Sequence, residues 1–185
     1  WPHLRGFTSL TFTQETPESL QALAVGNDVL FQAKPHGVSA SQSPGLLDHN
    51  PRLKIIDLSG DFRLPSPLDY KEWYGHDHPE PGLLAAGVPY GLPEVFREEV
   101  RGARLVSNPG CYATSVPLPL VPPLREGLIH PADIVADAKS GATGAGRSLR
   151  EDLLFCELAE DFSAYSPGRT HRHVGEIEAV LRERP

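Results

Sequence analysis

An α/β fold with a parallel sheet is predicted by three observations: short continuous apolar runs, the polar loops that close them, and helical patterns between them. The runs are 28–33 (DVLFQA), 53–58 (LKIIDL) and 104–107 (RLVS), each flanked by turn-forming or polar residues. An unbroken apolar run of this length, rather than an alternating one, fits a strand covered on both faces. They lead into Lys34-Pro35-His36-Gly37, Ser59-Gly60-Asp61 and Asn108-Pro109-Gly110. Open α/β sheets bind ligands beyond the carboxyl ends of their strands, so chemistry is expected in these loops.

The remaining elements follow in order. Residues 20–25 and 41–47 read as short helices between the first strands. The stretch 63–93, rich in Pro, Gly, Tyr and Trp, reads as a long ordered loop over a site. Residues 112–128 read as a helix that Pro117, Pro119, Pro122 and Pro123 kink or split. A further strand is expected at 134–138 (IVADA), then a glycine-rich loop from Ser140 to Arg147. The closing segment 175–184 carries Ile177, Val180 and Leu181 at helical spacing. No internal repeat is visible.

Composition narrows the function. A chain of 185 residues with 39% hydrophobic content can bury a core, yet is short for two full domains. The net charge of -7 offers no basic field for nucleic acid, and no apolar run reaches the length of a membrane span. Two cysteines are too few for a disulfide framework, which points to a reducing, cytoplasmic setting. Methionine is absent and Trp stands first, so a central fragment of a longer protein is expected.

Cys111 is the sharpest chemical feature. Pro109-Gly110 turns the chain after a strand and leaves the thiol on the first turn of a helix. Free N–H groups there stabilise a thiolate and can bind an oxyanion on an attacked carbonyl. Cys156, inside the apolar run 153–158, reads as structural. A thiol nucleophile needs a base, and His171-Arg172-His173 supplies two imidazoles; residues two apart face opposite ways, so one of them is expected to meet Cys111. His36, His76 and His78 lack cysteine or carboxylate companions at ligand spacing, and a metal site is rejected. In GATGAGR, Gly141, Gly144 and Gly146 let a ligand approach the backbone while Arg147 offers a guanidinium, which suits a phosphate or a nicotinamide ring.

Several segments together resemble the N-acetyl-gamma-glutamyl-phosphate reductase family. Residues 107–114 (SNPGCYAT) resemble its active-site signature, 57–64 (DLSGDFRL) its DLSADFRL segment, 137–141 with 144–147 its DAKSG and GAGR pieces, and 171–177 its HRHxPEI stretch. Gly175 replaces the proline common there, and the GxxGYxG turn that grips the cofactor pyrophosphate is not among these residues. The resemblance implies a partial Rossmann-like NADP-binding domain (1–108, without its glycine-rich turn). It is joined to part of an α+β glyceraldehyde-phosphate-dehydrogenase-like catalytic and dimerisation domain (109–185, without its C-terminus). It also implies a homo-oligomer, dimer or tetramer, and impaired turnover by the fragment alone.

The activity implied is NADPH-dependent reduction of an acyl phosphate to a semialdehyde in arginine biosynthesis, through a thioester on Cys111. His171 is the first choice for general acid/base and His173 the second. Arg63, Lys139 and Arg172 are the cations for the substrate, and Ser140, Gly141, Gly144, Gly146 and Arg147 lie beside the nicotinamide. Rival readings keep the thioester but act on aspartyl phosphate or on a carrier-bound aminoadipyl phosphate of lysine synthesis. Others use Cys111 and His171 as a cofactor-free hydrolase or acyltransferase, or make the chain an interaction module docking through 116–124.

Overall fold

The computed structural model describes residues 6–9, 11–146 and 148–183. Three strands, β1 (Val29–Gln32), β2 (Lys54–Asp57) and β3 (Leu105–Ser107), form a parallel sheet in the order β1-β2-β3. The register sets Leu30 against Ile55 and Ile55 against Leu105. Tyr90 forms a further parallel bridge to Ser107, with Gly91 N–H donating to the Ser107 carbonyl at 2.7 Å. The bridge brings 89–91 alongside the carboxyl end of β3.

Helix α2 (Val38–His49) packs on β2 and α1 (Pro17–Gly26) packs on α2, and α3 (Pro67–Tyr74), α4 (Pro81–Ala85) and α5 (Pro93–Arg101) lie between β2 and β3 in the chain. Beyond β3 come α6 (Cys111–Ser115), α7 (Pro117–Arg125), the four-residue α8 (Phe155–Leu158) and α9 (His173–Glu183). The many prolines are used at helix starts: Pro17, Pro67, Pro81, Pro93 and Pro117 each open a helix. There the missing N–H has no intrahelical partner to lose and the fixed φ already suits a helix. Thr16 and Ser66 add side-chain caps, and Gly75 closes α3 in the left-handed region at φ 78°.

Two cores hold these pieces. Ala40, Leu53, Ile55, Phe62, Leu64, Tyr70 and Leu84 are buried around the sheet, while Leu92, Phe96, Val121 and Val180 join α5, α7 and α9. Each fully buried large apolar side chain contributes about 1.5–3 kcal/mol, so α9 is fixed to the sheet domain by packing and not by its sequence neighbours.

The helix expected at 112–128 splits as its prolines suggested, at Val116, where Pro117 begins α7, while Pro122 and Pro123 remain inside α7. Two expectations change. The 63–93 stretch is not a bare loop: Ser66-Pro67 and Pro81 start α3 and α4 within it. The strand expected at 134–138 does not form. Val135 is 92% exposed, and no described segment pairs with it. An apolar run cannot be a strand without a neighbour to take its hydrogen bonds.

Candidate active site

The loops after the three strands converge. Leu58 N–H donates to the Gln32 carbonyl at 2.8 Å, and Asn108 N–H to the Asp57 carbonyl at 2.7 Å, so the strand ends stay level. Asp61, fully buried, accepts from Gly37 N–H at 2.7 Å and Ala40 N–H at 2.9 Å. That carboxylate takes the Gly37 and Ala40 donors at the N-terminus of α2. His36 and His78 are structural partners of the same loops: Gly60 N–H donates to His36 Nδ1 at 3.0 Å, and His78 Nε2 lies 2.9 Å from the Asp61 carbonyl.

Cys111 stands at the first position of α6 and is exposed, with Gly110 before it in an extended conformation (ψ 163°). As the opening residues of a helix, Cys111, Tyr112 and Ala113 have N–H groups without intrahelical acceptors. The helix ends at Ser115, so the dipole that was expected to favour a thiolate is short. The glycine at 110 is required by close approach: a Cβ there would lie 2.1 Å from His173 Nε2.

The organising residue is one that the reading of single motifs passed over. Glu176 is 1% exposed, and its carboxylate accepts from Gly110 N–H at 3.2 Å, from the Tyr90 hydroxyl at 3.0 Å and from Arg63 Nη1 at 3.3 Å. His173 Nε2 lies 3.8 Å from it. One buried carboxylate thus ties α9 to the turn before Cys111, to the strand-edge residue Tyr90 and to the 57–64 segment. The signal was present: Glu176 sits four residues before buried Val180, on the inward face of a helix where a carboxylate needs a partner. Burial first, and Glu176 second, push the Tyr90 phenol well above its ordinary value, so Tyr90 is the donor in that bond.

The two histidines do not diverge as their spacing suggested. His171 precedes α9 rather than lying in it, and its ring is 4.5 Å from that of His173. Both rings meet Tyr112, at 5.4 Å and 6.0 Å. His173 N–H donates to His171 Nδ1 at 3.1 Å, which leaves the neutral His171 ring with its proton on Nε2. Burial holds both imidazoles below the usual value against the opposing pull of Glu176, His173 down to about 4. Each is therefore neutral near pH 7, and because the lone pair of His171 is taken at Nδ1 by the His173 N–H, that ring offers Nε2–H as a donor.

The other expected site residues divide sharply. Arg63 is engaged by Glu176 and by the Leu58 carbonyl at 2.9 Å. Arg172 is exposed and rests over the Tyr74 ring at 5.0 Å. Lys139 pairs with Asp137 at 2.5 Å and approaches the Phe162 ring, and Ser140 donates to the Gly141 carbonyl. Among the described residues, the polar and ring contacts of 137–146 stay within that stretch or reach Phe162, and none joins Lys139, Ser140, Gly141, Gly144 or Gly146 to Cys111. Gly141 and Gly146 have open space where a Cβ would stand, which leaves room for a planar ligand against that backbone. Arg147 lies outside the described residues. Cys156 is exposed, contrary to the structural role expected of it, because Leu149, Phe155 and Phe162 around it are themselves 100%, 85% and 68% exposed and form no core to receive it.

The chain is similar to known proteins along most of its length. Residues 1–103 match the family model described as semialdehyde dehydrogenase, NAD binding domain, and 111–184 match semialdehyde dehydrogenase, dimerisation domain. Proteins named N-acetyl-gamma-glutamyl-phosphate reductase are similar throughout. That of Nitrosococcus oceani is 49% identical over 177 residues, covering 96% of this chain and 50% of the relative. Those of Akkermansia muciniphila and Symbiobacterium thermophilum are 49% and 44% identical, covering 94% and 99% of this chain and 48% and 51% of their own lengths. The chain spans about half the length of these relatives.

Proposed function

The chain belongs to the semialdehyde dehydrogenase family, and we propose that the protein carrying it reduces N-acetyl-glutamyl 5-phosphate to N-acetyl-glutamate 5-semialdehyde in arginine biosynthesis, using NADPH and a thioester on Cys111. The observation that carries this reading is an exposed thiol at a helix start whose preceding N–H is held by a buried carboxylate, with two neutral imidazoles packed on its sequence neighbours Gly110 and Tyr112.

In this reading the Cys111 thiolate attacks the acyl carbon, the carbon–oxygen bond to phosphate breaks, and phosphate leaves with the electron pair. The N–H groups at the start of α6 face the carbonyl oxygen as charge develops on it. Residues 140–146 would hold the nicotinamide end of a cofactor, which when bound would supply the hydride. His171, the first choice for general acid/base, would donate its Nε2–H to the tetrahedral oxygen, with Nδ1 fixed by the His173 N–H; as the carbonyl re-forms, the carbon–sulfur bond breaks and the Cys111 thiolate leaves with the electron pair. His173, packed on Gly110, is the second choice for that proton and a positioning residue for the turn. Arg63, Lys139 and Arg172 are the cations assigned to the substrate's phosphate and carboxylate.

The test is alkylation by iodoacetamide in a Cys156→Ser background, which the exposure of both thiols makes necessary. Cys111 is expected to react, to be protected by the acyl phosphate, and to abolish NADPH-dependent reduction when changed to Ser. Reduction that survives in the Cys111→Ser protein would sink the assignment.

A further inference from the structure

The backbone of Gly175 does not require a glycine. It is the third residue of α9, it is buried, and its φ lies outside the left-handed region. A glycine inside a helix weakens it relative to alanine, so alanine is the residue expected wherever a methyl group fits. Here that place is taken: a Cβ on Gly175 would lie 2.5 Å from Trp73 Nε1 and 2.6 Å from its Cε2, closer than nonbonded atoms approach. The indole of Trp73 stands where a side chain at 175 would begin.

The ring is held where it is. Trp73, in the last turn of α3, packs on the buried cluster around the sheet. Arg169 closes over it, with its guanidinium 5.7 Å from the ring centre, and donates from both Nη atoms to Glu178 on α9, the Nη2 bond at 3.1 Å. Arg169 has a left-handed φ of 67°, which a residue other than glycine keeps only where its surroundings fix it. Tyr74, the next residue of α3, lies against the Arg172 guanidinium at 5.0 Å. The end of α3 thus grips the segment at Arg169, Arg172 and Gly175.

The same segment meets the turn before Cys111. His173 approaches Gly110 so closely that a Cβ there would lie 2.1 Å from its Nε2. Val174 N–H donates to the His171 carbonyl at 3.0 Å and Gly175 N–H to the Arg172 carbonyl at 3.2 Å, which ties both imidazoles and Gly175 into one turn. That turn presses a ring onto one glycine, at 110, and receives a ring at another, at 175.

We propose that Trp73, through its contact with Gly175, is the positioning residue that sets His171 and His173 against the Cys111 turn, a role that rests on the reading of those imidazoles as the acid/base pair. The indole fixes the distance, since only a glycine admits it, and Arg169 keeps the indole in place.

The test is a substitution cycle on the full-length protein that carries these residues, read by the ring signals of His171 and His173 and by NADPH-dependent reduction. Gly175→Ala should lower kcat by about tenfold to a hundredfold, as a misplacement of about 1 Å does, with the KM for NADPH unchanged. In that variant the His173 ring, held down to about 4 by burial first and with Glu176, His171, Arg63 and Arg172 around it, should titrate closer to about 6.5 as it gains water. Trp73→Phe removes Nε1 and keeps a ring for the core and for Arg169. In its background Gly175→Ala should cost little more, the non-additivity of two groups in contact. Equal losses from Gly175→Ala with and without Trp73→Phe overturn the proposal, as do unchanged ring signals and titration in Gly175→Ala. If Gly175→Ala does not fold, Trp73→Phe alone decides: the signals of both histidines should shift while the melting temperature is kept, and unshifted signals overturn the role. The ring signals need no turnover, so this test fails separately from the reduction assay on Cys111→Ser.

Discussion

Residues 28–126 with α9 and residues 128–170 have comparable supplies of apolar side chains, and they end in opposite states. In the first region Leu53, Ile55, Phe62, Tyr70 and Leu84 are at most 2% exposed around a sheet whose loops place the Cys111 turn. In the second, Val135, Leu149, Phe155 and Phe162 face solvent, and the chain forms 3-10 turns and one four-residue helix. The difference lies in neighbours and not in hydrophobicity. A strand or an apolar helix face is stable only against a surface that takes its hydrogen bonds and covers it.

The largest effect that would sharpen this contrast comes from the clamp that joins α9 to the sheet domain. Glu176→Ala leaves Arg63 buried and unpaired and frees Gly110 N–H and the Tyr90 hydroxyl, at a cost of about 3–5 kcal/mol by chemical denaturation. Glu176→Gln keeps the shape and acceptor oxygen and should cost less. If both variants unfold like the wild type, α9 is held by Val180 and its apolar neighbours alone.

A smaller effect appears in pH. The His173 imidazole is held down to about 4, from a value near 6.5 in the unfolded chain, chiefly by burial. Between pH 6.5 and 4 the unfolded state binds the proton and the folded state does not, so this group's contribution to stability is present above 6.5 and lost as pH falls through that window. The melting temperature should drop over that range, and His173→Asn should make the drop shallower. An identical pH slope in the two proteins would show that His173 titrates normally in the fold.

The smallest effect is expected in the outer stretch. Leu149→Ser should change the stability of the 185-residue chain by no more than about 0.5 kcal/mol, the range of exposed positions. A cost comparable to a core truncation would mean that 128–170 packs against a surface and would break the comparison.

Much of the sheet domain was legible because its signals are local. The three apolar runs became β1, β2 and β3 with their ends moved by a residue, and the Pro109-Gly110 turn put Cys111 at a helix start as its chemistry suggested. The 63–93 stretch was less legible, since two short helices opened by Pro67 and Pro81 are brief enough for their turn residues to dominate the pattern. Within the site, the imidazoles at 171 and 173 were visible but their convergence was not, because His171 lies before the helix and obeys no helical spacing. The contrast between Arg63 and Arg172 was invisible: both are arginines in polar motifs, and only a carboxylate 113 residues along the chain distinguishes them.

By itself the sequence determined the strands, the helix starts and the nucleophile's turn, since each depends on residues within a few positions: continuous apolar runs, proline at the first helical position, glycine where a ring approaches. The tertiary structure alone decided that Glu176 closes the clamp, that Cys156 and the 134–138 run stay exposed, and that Arg172 rests over the Tyr74 ring. Those outcomes depend on which surfaces meet, and burial, pairing and the desolvation of charge come into being only when distant segments pack together.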